Sequence, residues 1–64
     1  MNLKELIKRN ERLSVEESLF VIKEYVKIRK GVDIVPVLDP MLMSRFLMNQ
    51  LTDYAVNWLR SNNF

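Results

Sequence analysis

Residues 39–60, DPMLMSRFLMNQLTDYAVNWLR, decide how this 64-residue chain folds. An Asp-Pro pair is the preferred order for a helix N-cap followed by its first turn, since proline's missing N–H is not needed there. The residues after it repeat at helical rather than strand spacing. They predict a helix over about 40–60, roughly 30 Å long at 1.5 Å per residue. Projected at 100° per residue, Met43, Leu47, Met48, Leu51, Tyr54, Ala55 and Trp58 fall inside an arc of about 140°. That arc is wide enough to pack against two other helices. Leu42 and Phe46, one turn apart, point away from it, and Val56 lies off its other edge.

Working outward, residues 32–38 carry Val32, Ile34, Val35 and Val37 together with Pro36. β-Branched residues disfavour helix slightly, and proline drives the residue before it into the extended region. The segment predicts an extended connector. With no second strand to pair with, its only strand role is an edge against the same segment of another copy.

Ser14-Val15-Glu16-Glu17 is a capping box: the serine hydroxyl accepts from the Glu17 amide while the Glu17 carboxylate reaches back to the serine amide. It starts a second helix over about 15–30. Gly31 ends that helix after the basic turn Lys27, Arg29 and Lys30, which suits the helix dipole. Val15, Leu19, Ile22 and Val26 form its central apolar stripe, widened by Val21, Tyr25 and Ile28. Phe20 projects to the opposite side, among Glu16, Lys23 and Lys27, as an exposed secondary contact. Leu3, Leu6, Ile7 and Asn10 line one face of a first helix over about 3–12, with Asn2 as N-cap and Lys4, Lys8 and Arg12 along another face. Asn62, Asn63 and Phe64 predict a frayed end.

The fold class is therefore all-α: one small three-helix domain with a connector at 32–38. A chain this short buries only about 60% of its unfolded surface, so small folds lean on disulfides, metals, tight helix packing or a second subunit. With no cysteine and no histidine, good packing and self-association remain. The expectation is a homodimer formed chiefly through the third helix.

The composition excludes much chemistry. The commonest general base and the best nucleophile are both missing, and the single glycine leaves no phosphate-cradling loop. Glu16 and Glu17 are neighbours on a helix and diverge by about 100°, so they cannot act as a carboxylate pair. No catalytic, cofactor-binding or metal-ligating residue is expected, and the chain reads as a non-enzyme.

Met1 to Gly31 carries eight Lys/Arg against five Glu, while the rest carries Arg45 and Arg60 against Asp33, Asp39 and Asp53. Charges interrupt every apolar run before it reaches the roughly 18 residues of a membrane span. Lys4, Glu5, Lys8 and Arg9 break any secretory leader, and the lack of cysteine fits a reducing compartment, so a cytoplasmic protein is expected.

Two functions remain. The first is a regulatory or adaptor protein that binds a protein partner through Leu42, Met43, Phe46 and Trp58, with Phe20 as a secondary contact. The alternative is a nucleic-acid regulator, with Lys4, Lys8 and Arg12 on one basic ridge and Lys23, Lys27 and Lys30 on a second.

Overall fold

Three helices, α1 (Leu3–Lys8), α2 (Val15–Lys30) and α3 (Arg45–Ser61), make up the computed structural model, which describes residues 1–9, 11–31 and 44–64. No strand occurs among the described residues. Asn10 and the connector expected at 32–38 lie outside them, as do the Asp39-Pro40 helix start and Leu42 and Met43.

Each helix starts where a side chain satisfies its first free N–H groups. The Asn2 carboxamide oxygen accepts from the Lys4 and Glu5 amides at 3.0 and 3.3 Å. The Ser14 capping box forms as predicted, with both of its hydrogen bonds present. Helix three begins at Arg45 rather than at 40, because Ser44 is extended and its hydroxyl accepts from the Leu47 amide at 3.1 Å.

The helix ends also have local causes. Gly31 closes α2 in the left-handed region, at φ 71°, where its N–H donates to the Lys27 carbonyl. Alanine would be strained at that φ. α1 stops at Lys8 instead of Arg12: Arg9 is extended, and Arg60 of α3 takes the carbonyls of Ile7 and Arg9 at 2.6 and 3.3 Å. A long-range guanidinium thus adds to the local cap, in which the Arg9 amide donates to the Leu6 carbonyl at 3.3 Å. The chain end is closed rather than frayed, with Asn63 left-handed and the Phe64 amide on the Leu59 carbonyl at 3.0 Å.

Leu6, Ile7, Leu13, Val21, Ala55 and Leu59 form the core cluster, so all three helices and the α1–α2 junction contribute to one interior. Ile22 and Met48 are also buried. The buried stripes differ from the projected ones. In α2 the buried residues are Ser18, Val21 and Ile22, which keep to the Val21 side of the predicted face, and Val15 is exposed. In α3 they are Met48, Thr52, Ala55 and Leu59, about 80° from the centre of the predicted arc. Small polar residues take part in both interiors. Ser18 and Thr52 are small polar residues, which a hydropathy projection assigns to solvent and the packing places in the core. Phe20 differs from expectation too: although it projects to the side of α2 opposite the buried stripe, it is half-buried and packed on the core cluster, not free on the solvent side.

Candidate protein-contact face

With the core on the Met48–Thr52–Ala55–Leu59 stripe, the neighbouring stripe of α3 turns outward. Phe46 is 72% exposed, Leu47 44%, Leu51 37% and Tyr54 57%. Leu47, Leu51 and Tyr54 follow one another at four- and three-residue spacing, so they lie along one line of the helix surface. Sequence projection puts these three in the core and only Phe46 outside. The structure places all four on one outward face.

Trp58 continues that line but is half-buried against the core, where it meets α2. The Tyr25 ring stands edge-on to Trp58 at 5.5 Å and to Tyr54 at 6.0 Å between centroids. Edge-to-face packing sets the positive rim of one ring against the negative face of another. Arg29, one turn beyond Tyr25, lies over all three rings, 5.4 Å from the Trp58 centroid, 5.7 Å from Tyr25 and 5.9 Å from Tyr54. Its Nη1 donates to the Tyr25 and Tyr54 hydroxyl oxygens, the second at 3.2 Å.

This contact moves both partners' titration. The hydrogen bond from Arg29, followed by its charge, pulls the Tyr54 phenol below its usual value, with Lys30 adding a smaller effect in the same direction. The phenol oxygens of Tyr54 and then Tyr25 raise Arg29. The joined surface carries tyrosine, tryptophan, arginine and leucine at the seam of two helices. The first three are the residue types richest in interface hot spots.

The basic residues divide differently. Lys4 and Lys8 are exposed on α1, but Arg12 lies beyond the end of that helix and pairs with Asp53 at 2.8 Å, so the first ridge is not one helix face. Lys23, Lys27 and Lys30 are exposed on successive turns of α2.

A cleft of about 370 Å³ separates the α1–α2 junction from α3, lined among others by Arg9, Arg12, Asp53, Asn57 and Arg60. Glu11 also lines it, and its three arginines all have partners. Arg9 pairs with Glu17 at 2.6 Å, Arg12 with Asp53, and Arg60 holds the α1 carbonyls. The Glu17 carboxyl is lowered first by the Ser14 amide and further by Arg9, which marks a structural cap and ion pair. Among the described residues no group of histidine, cysteine, aspartate or glutamate side chains is placed to hold a metal, and no helix is long and apolar enough to cross a membrane.

Compared with known proteins, the chain matches no protein-family model, no curated protein and no solved structure.

Leu47, Leu51, Tyr54 and Arg29 are absent from the contact residues expected on sequence grounds. Their one local signal is the four-residue spacing of Tyr25 and Arg29. The approach of Tyr54 and Trp58 to them crosses two helices and leaves no trace in the linear sequence.

Proposed function

We propose that this chain is a non-catalytic regulatory or adaptor module that binds other proteins through the outward face of α3, and that two copies pair through Phe46, Leu47 and Leu51. One observation carries the proposal: α3 has two adjacent apolar stripes, of which Met48, Ala55 and Leu59 fill the core and Phe46, Leu47, Leu51 and Tyr54 stand in solvent. Contiguous exposed apolar residues on so small a chain favour association, because covering them removes apolar area from water at roughly 25 cal/mol per Å². The absence of cysteine suits a cytoplasmic setting.

Sedimentation equilibrium tests the pairing. The wild type is expected to show a dimer at micromolar concentration, and Phe46→Glu with Leu47→Glu a monomer of unchanged helical content. A wild-type monomer, or a double variant that keeps its mass, overturns the pairing.

The exposed run Lys23, Lys27 and Lys30 favours a second reading, in which α2 tracks the phosphates of a nucleic acid. It requires affinity for duplex DNA or RNA that falls steeply with salt and is weakened by Lys23→Glu. No binding at low salt removes it.

A further inference from the structure

We propose that Arg29, fixed by Tyr25, Tyr54 and Trp58, is a carboxylate-binding site that receives an acidic side chain of a partner protein; this rests on the reading of the outward α3 face as a protein contact.

A guanidinium has five N–H donors in a planar fork. Nη1 is spent on the two phenol oxygens. Among the described residues Nε and Nη2 donate to nothing and no carboxylate pairs with Arg29, although Arg9 and Arg12 each have one. The side chain is nonetheless held in place, by two hydrogen bonds and three ring contacts. An exposed arginine ordinarily loses rotamer freedom when it binds, whereas this one has already lost it. The remaining edge of the fork matches the two oxygens of a carboxylate.

The surroundings select the class of partner. Lys30 also acts on the Tyr54 phenol, so among the described residues a second cation stands beside Arg29. The α3 face of a second copy brings it no unpaired carboxylate: Asp53, the one acidic residue in the described part of α3, is paired with Arg12. A nucleic acid needs cations repeated along its path, and the outward line of α3 offers Leu47, Leu51 and Tyr54 instead. The cation itself covers the three ring faces on which bases would stack. A carboxylate beside an aliphatic anchor, which a protein segment supplies, satisfies both Arg29 and Leu51. The site is offset from the Phe46–Leu47 end of the pairing contact, with Leu51 between them: Tyr54 lies two turns beyond Phe46, about 12 Å along the axis.

Trp58 is the only tryptophan and lies beneath Arg29, so its emission reports the site. The full chain is titrated with a short blocked peptide of glutamate and leucine, with its glutamine–leucine counterpart, and with oligo-dT. The expected result is a saturable change in Trp58 emission with the acidic peptide, and affinity at least about tenfold weaker for the glutamine peptide, the scale of losing a charge-assisted bidentate contact. Arg29→Gln abolishes the difference between the peptides. Arg29→Lys, which keeps the charge but loses the fork, weakens binding of the acidic peptide and carries the test if the glutamine variant does not fold. Equal binding of the two peptides, wild-type affinity in Arg29→Gln or Arg29→Lys, or tighter binding of oligo-dT overturns the site. Phe46→Glu with Leu47→Glu is titrated in parallel. It changes the mass and leaves the peptide response, so the pairing and the carboxylate site fail separately.

Discussion

Two buried hydroxyls should respond in opposite directions to removal. Ser18 is completely buried in α2, and its Oγ has no hydrogen-bond partner among the described residues. Thr52 is buried in α3, and its Oγ1 donates to the Met48 carbonyl at 2.7 Å. A buried hydroxyl without a partner costs about 1–3 kcal/mol in lost hydration. Ser18→Ala recovers that cost and adds about half a kcal/mol of helix propensity. Against this stands the void left by one oxygen, smaller than the roughly 0.8 kcal/mol of a buried methylene. The net expectation is a gain of about 1–2 kcal/mol, or roughly 4–16 °C in melting temperature for a domain of this size. Thr52→Val keeps the shape but removes a satisfied hydrogen bond, so it should cost about 1 kcal/mol. Urea unfolding followed by circular dichroism, at one fixed protein concentration because pairing would add to stability, measures both. A Ser18→Ala variant that is neutral or less stable would refute the reasoning, since it would show that the hydroxyl is satisfied in solution. A Thr52→Val variant as stable as the wild type would refute its other half.

Other substitutions separate the two stripes of α3 and the acid sensitivity of α2. Leu59→Ala empties a fully buried core position and should cost about 2–5 kcal/mol. That is a large part of the roughly 3–10 kcal/mol available to a domain of this length. Leu47→Ala, on the outward stripe, should cost under about 1 kcal/mol in the monomer; equal costs in urea titrations would put the core where hydropathy alone puts it. Glu17 has its carboxyl lowered in the folded state, first by the Ser14 amide and then by Arg9, so its contribution is present above the ordinary glutamate range and is lost as pH falls through the lowered value. Glu17→Gln should therefore melt below the wild type at neutral pH, and the gap should close on acidification. A gap independent of pH would remove the carboxylate from the cap's energetics.

Helix number and helix type were legible because the signals are local. Ser14 and Glu17 reach only each other's amides, and Gly31 needs only its own lack of a Cβ, so a few adjacent residues specify both ends of α2. Asn2 caps α1 on the same terms. The absence of histidine and cysteine was legible in the same direct way, and with it the narrow catalytic inventory.

What the tertiary structure alone decided is which side of each helix faces inward. Hydropathy ranks Ser18 and Thr52 as polar, yet close packing needs small side chains, and volume overrides polarity at both positions. That override rotates the buried stripe of α3 and leaves Leu47, Leu51 and Tyr54 outside with Phe46, while Phe20 packs on the core cluster. Long-range side chains decided the rest. Arg60 adds to the α1 cap from 51 residues away by taking the Arg9 carbonyl, and Arg29 meets Tyr54 across 25. Capping and turn chemistry act over a few residues of chain and are written in it. The direction of a helix face, and the assembly of the Arg29 site, depend on volumes and donors brought together only when the helices pack.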